Sequence, residues 1–142
     1  MATWDYVLAE PPTEARAREV WLQHAAGFIL CEDVRRHAAG QIDPGLGDEA
    51  RGAALKAIDD ALYGLMQVID GVTGGLANAD HAVAIDFVVR LVARGGPADG
   101  RAVAAVDLRD GDGMAMGYHG WVAGDFGADP VVAPRGGDGS QG

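Results

Sequence analysis

Val83, Ile85, Phe87, Val89 and Leu91 place an apolar side chain at every second position, and nothing else in the chain restricts its fold as tightly. A period of two puts all five on one face of an extended strand, and such a face has to be covered by another layer. Ala84, Asp86, Val88, Arg90 and Val92 take the opposite face. A helix through Ile85, Val88, Val89 and Val92 also fits the spacing, but the β-branched density over 82–93 favours a strand. The run Arg94-Gly-Gly-Pro-Ala-Asp-Gly100 predicts a turn and an antiparallel return over 101–108. Asp110-Gly-Asp-Gly113 predicts a second turn, leading into a third strand over 114–122.

The covering layer is expected from the first half of the chain. Thr13, after Pro11-Pro12, can cap a helix running to about residue 39, with Glu14 favourable at its positive end. Ala17, Val20, Trp21, Phe28, Cys31 and Val34 recur there at near-helical spacing, and Gly27 marks a bend or a close helix contact. Arg35-Arg36 complements the negative end of that helix, and Gly40 ends it. Asp48 caps a second helix whose apolar stripe is Leu55, Ile58, Leu62, Leu65, Met66 and Ile69, ending at Asp70-Gly71 before a loop over 71–80. The expected class is therefore α+β: two N-terminal helices packed on a small antiparallel β-meander of about three strands. At 142 residues this is one domain, expected over 1–127, with the Gly- and Pro-rich 128–142 as a flexible tail.

Composition narrows the partners. A 49% hydrophobic fraction describes a folded chain, and a net charge of -10 argues against nucleic-acid or anionic-membrane surfaces, which need Lys and Arg. Acidity favours a basic partner, more weakly. Cys31 is the only cysteine, so neither an internal disulfide nor a cysteine-based zinc cluster can form. The start MATWDYVLAEPP lacks a basic-then-apolar leader pattern, and no apolar run reaches the roughly 18 residues of a membrane span, so the expected location is cytoplasmic. Trp4 and Tyr6 either anchor the leading segment or mark a contact surface.

Candidate chemistry concentrates in Asp107 to Gly127, DLRDGDGMAMGYHGWVAGDFG, where six glycines stand among Met114, Met116, Tyr118, Trp121 and Phe126. Asp107, Asp110 and Asp112 invite a calcium loop. With Gly113 as sixth residue of an EF-hand, Asp110 and Asp112 fall at the third and fifth ligand positions. Leu108 then stands at the first and His119 at the twelfth, so the pattern fails and a solvated Asp-Gly turn explains it. Gly111, Gly113 and Gly117 have the spacing G-x-G-x-x-x-G, which is not the dinucleotide fingerprint, and no P-loop lysine is present. His24, His37 and His81 have no ligand-like spacing, so no metal and no cofactor is expected. His119 with Asp125 is the one imidazole–carboxylate pair that could serve acid–base catalysis, with Asp110, Asp112 and Tyr118 as ligand-binding candidates. A nucleophile is lacking, since the only serine is Ser140 and Cys31 lies on an apolar helix face. Met114 and Met116, two apart, would share a strand face in the core.

The run DGDGMAMGYHGWVAGDFG, together with LYGLMQVIDGVTGGL, resembles a small family of bacterial proteins to which no function is assigned. The resemblance spans roughly 48–127 and implies bacterial origin, in keeping with ten Arg against the single Lys56 and the excess of Ala and Gly. It implies no activity, ligand or catalytic residue. The expected function is non-catalytic, through contact with a protein partner or self-association in a homo-oligomer. The alternatives are a small-molecule site or minor enzyme on His119 and its neighbouring aspartates, and an immunity protein that neutralises a toxin.

Overall fold

The computed structural model describes residues 2–134. Helix α1 (Ala15–Ile29) runs without a break through a π-helical turn (Leu30–Arg35) into the short α2 (Arg36–Gly40). Glu14, rather than Thr13, caps α1: its carboxylate accepts from the amides of Arg16 at 2.8 Å and Ala17 at 2.9 Å. Helix α3 (Asp48–Ile69) begins one residue past Gly47, so Asp48 and Glu49 lie in its first turn, against the positive end of the helix dipole. It buries Leu62, Met66 and Ile69 of the expected stripe and ends before Gly71, whose φ of +77° few other residues tolerate.

The strands follow as two separate antiparallel hairpins. The first joins β1 (Leu76–Ala77), in the expected loop, to β2 (Ala82–Val83), at the start of the expected strand, and the second is β3 (Val88–Val92) with β4 (Ala102–Asp107). The return strand is where the turn signals put it, pairing Val89 with Val106 and Leu91 with Ala104 before a bulge shifts the register. The long strand over 82–93 is instead interrupted: residues 84–87 are outside any strand, and Val83 and Ile85 are exposed. No layer covers those two side chains, because α1 packs only against Phe87, Val89 and Leu91, the part of the alternation that meets Trp21, Leu22, Ala25 and the rest of the core. Arg109 also holds this stretch, reaching the Ile85 carbonyl at 3.4 Å and Asp86 at 3.6 Å.

The segment expected as a third strand, 114–122, is helix α4 (Met114–Val122). Met114, Tyr118 and Trp121, at positions i, i+4 and i+7, are buried on one face, while Met116 is 76% exposed, so the two methionines do not share a face. The helix starts on a carboxylate from elsewhere: Asp70 accepts from the amides of Met114 at 2.6 Å and Ala115 at 2.9 Å. That filled N-terminus, 44 residues away in sequence, outweighs the low helix propensity of Gly117 and Gly120.

The architecture is α+β. Helix α1 packs against the β3–β4 hairpin through Trp21, Leu22 and Ala25 and against α4 through Ala26 and Gly27, while α3 packs on α4, on the π-turn and on α2. Gly27 is the close contact its position allows. A Cβ there would stand inside the Trp121 ring, which also lies within 2.6 Å of a Cβ built on Gly117. Buried Gln23 ties α1 to the loop before α4, accepting from Asp112 N at 2.7 Å and donating to Gly113 O at 3.1 Å. The part of the expected tail within the described residues is also anchored: Val131 is buried, Leu8 bridges Val132, and Trp21 Nε1 donates to Pro130 O at 2.9 Å. Residues 135–142 of that expected tail lie outside the described residues. Tyr6 packs edge-on against Phe28 and anchors the leading segment, whereas Trp4 is 89% exposed. No helix among the described residues is long and apolar enough to cross a membrane.

Glycines in the two longest helices should therefore respond in opposite directions. Gly27→Ala collides with the Trp121 ring and is expected to lower stability by about 2–3 kcal/mol. Gly64→Ala meets open space and is expected to raise stability by about 0.5–1 kcal/mol through helix propensity. Urea unfolding of both variants checks the pair, and a neutral Gly27→Ala would refute the close packing.

Candidate functional site

Helices α3 and α4 lie against each other, and the groove between them gathers Asp59, Asp60 and Tyr63 with Tyr118, His119 and Val122 around a cavity of ≈ 340 Å³. Asp59 with Tyr63 and Tyr118 with Val122 are i, i+4 pairs, which is why each helix presents them together. The π-turn adds Arg35. Its Nε donates to Asp59 Oδ1 at 2.6 Å and its Nη2 to Oδ2 at 3.3 Å, while the Tyr118 hydroxyl donates to Oδ1 at 2.8 Å. The Arg35 guanidinium holds the Asp59 carboxyl below its usual range, and Asp59 in turn raises Arg35. Burial first, and then the bond to Asp59, push the Tyr118 phenol well above its ordinary value. The three groups therefore keep fixed protonation states at neutral pH; they hold charge and geometry, and none is poised to exchange a proton.

His119 is exposed and leans on Tyr63, with ring centroids 5.4 Å apart at 48°. No hydrogen bond joins it to Asp125 among the described residues. Asp125 Oδ1 accepts from Gly127 N at 3.0 Å, and its charge acts on His24 instead. Asp112 pairs with Arg16 at 2.6 Å, and Asp110 is exposed at the end of a single 3-10 turn. Of the five candidates, Tyr118 and His119 share the groove, while Asp110, Asp112 and Asp125 do not line it. Asp59, Asp60, Tyr63 and Val122 are members that the sequence did not single out, and Arg35 stood out only as a helix-end charge. Asp59 reads as a solvent-facing residue beside the apolar stripe, and its link to Tyr118 spans 59 residues. Burial raises the Cys31 thiol, so it is no ready thiolate nucleophile. Among the described residues no group of three or more His, Cys, Asp or Glu is placed to hold a metal ion.

A second surface lies where α1, α3 and the start of β3 meet. An apolar groove of ≈ 240 Å³ is lined by Ile29, Leu65, Ile69, Phe87, Val88 and Val89, among others. Beside it the outer face of the β3–β4 hairpin exposes Val88 and Val103, each 54%, with Val92 and Arg90. Arg90, Arg94 and Arg101 enter no ion pair among the described residues. Comparison of the chain with protein-family models, curated proteins and solved structures found no match.

One titratable group is wired into the packing. Trp121 Nε1 donates to His24 Nδ1 at 2.9 Å, which requires that nitrogen to be unprotonated. Burial lowers the His24 pKa from its ordinary 6.5, against opposing pulls from Asp125 and Asp112. Because the folded value is depressed, the unfolded chain binds more protons just below pH 6.5. The stabilisation is complete above that value and erodes as pH falls through the folded value. Asn at position 24 keeps an acceptor without titrating, so His24→Asn should lose less of its urea midpoint between pH 7.5 and 5.5 than the unchanged protein. Equal losses would place the responsible proton elsewhere.

Proposed function

We propose that the protein acts without catalysis, by contact with other protein chains through the outer face of the β3–β4 hairpin and the groove beside β3. The observation that carries this reading is the exposure of Val88 and Val103, each 54%, on a sheet that has two strands among the described residues. A two-stranded ribbon is marginal alone; here α1 covers one face and the other is left apolar and open. The net charge of -10 counts against nucleic acid and anionic membrane as partners, and a second copy of the chain or a toxin-like protein is an admissible partner. A photo-crosslinking residue placed at position 103 in cells is expected to form covalent adducts with protein, while the same residue at exposed position 51 on α3 forms none. Absence of adducts at 103 would refute the contact reading.

The groove between α3 and α4 favours one second reading, a small-molecule site. A cavity of ≈ 340 Å³ with two tyrosines, a histidine and two carboxylates has the size and mixed lining of a ligand pocket. A fragment screen read by the NMR signals of Tyr63, Tyr118 and His119 should move those signals together. If no fragment does so, the groove is structural.

A further inference from the structure

The free edge of β3 has the geometry to take another strand, and its charge says which kind. β4 occupies one edge of β3, and among the described residues no strand pairs with the other. Phe87 accepts from Leu108 N at 2.8 Å, and Ala93 both donates to Arg101 O and accepts from Gly100 N at 2.9 Å. Those residues therefore face β4. Alternation along the strand leaves the backbone groups of Val88, Arg90 and Val92 directed at the unpaired edge. The apolar groove is lined by Phe87, by Val88 and Val89 of β3, by Leu108 just past β4 and by Ile29, Leu65 and Ile69 of the helices, so it opens beside the start of β3, where Val88 directs its backbone groups at the unpaired edge. An added strand would rest one of its faces on Ile29, Leu65 and Ile69. Its other face would lie level with Val88, Arg90 and Val92.

Charge chooses the occupant. Within the hairpin Asp99 is engaged with Gly95 N at 2.6 Å and Asp107 with Arg109 N at 3.1 Å. Arg90, Arg94 and Arg101 have no ion-pair partner among the described residues, so the hairpin offers three open cations against the two carboxylates of Asp99 and Asp107, on a chain of net charge -10. We propose that the free edge of β3 binds an extended segment of a partner protein in which apolar residues, facing the groove, alternate with acidic residues, facing Arg90 and the hairpin arginines. Main-chain bonds to Val88, Arg90 and Val92 supply the register, and the groove and the arginines supply the choice of sequence. This rests on the contact reading above and gives that contact its mode and its chemistry.

The probe is an end-blocked octapeptide alternating Ile with Glu, set against the same peptide with Lys in place of Glu. By fluorescence anisotropy at low salt the Glu peptide is expected to bind at least about tenfold tighter, the scale of one or two well-placed charge contacts. It should slow amide exchange at Val88, Arg90 and Val92, and Arg90→Glu should abolish or reverse the preference. A Glu peptide N-methylated at every backbone amide has no donor on either edge, cannot extend the sheet and should lose binding with no change to the protein at all. Equal binding of the Glu and Lys peptides, protection elsewhere, or full binding of the methylated peptide would each overturn strand addition. Adducts at position 103 that persist in that event would leave the contact reading standing, whereas their absence refutes the contact itself.

Discussion

Everything in this fold converges on the Trp121 indole lying over bare backbone. The ring occupies the space that a side chain at Gly27 would fill, and Gly117 clears its other flank. Its Nε1 is satisfied by His24, so the largest side chain of α4 is buried without an orphaned donor. That single contact sets how closely α4 can approach α1. It thereby sets where Tyr118 reaches Asp59 and where the loop carrying Asp112 meets Gln23. α1 can pack against both the hairpin and α4 only because it presents glycine and alanine on the side where α4 docks.

What the sequence revealed and what it hid follow the range of the forces involved. The stripe on α3 and the turn between β3 and β4 are local patterns, and both helices and the return strand appear where those patterns put them. Gly27 was legible as a bend or a close contact, since a helix seldom keeps glycine in its middle without a reason, and the Trp121 ring makes it the contact. Residues 114–122 misled because Met114 and Met116 suggest a period of two and the glycines weaken a helix. The deciding contribution, Asp70, comes from the far end of α3. Val83 and Ile85 misled for the opposite reason: their alternation is real, but periodicity does not say whether a covering layer extends that far. The Arg35–Asp59–Tyr118 network was hidden for the same cause as Asp70, since no spacing rule links residues from three elements.

The acidity of the chain is also resolved into local roles. Glu14, Asp70 and Asp107 each accept backbone amides at helix starts or turns, Asp33 holds Thr3, and Asp59 binds two side chains. These carboxylates serve as built-in acceptors, so a negative total does not by itself describe a surface awaiting a basic partner. The arginines divide differently: those on the helices and on the turn after β4 are mostly paired, and those on the β3–β4 hairpin are not.

The Asp70 cap carries a consequence for how the chain assembles. A nine-residue helix with two internal glycines has little tendency to form in water by itself. It acquires its first satisfied amides only when the end of α3 arrives beside it. Helix content in this segment is thus tied to tertiary docking, and α4 is expected to form together with the contacts that bring the end of α3 beside it. A loop closure of some forty residues, spanning both hairpins, stands between the unfolded chain and its final helix.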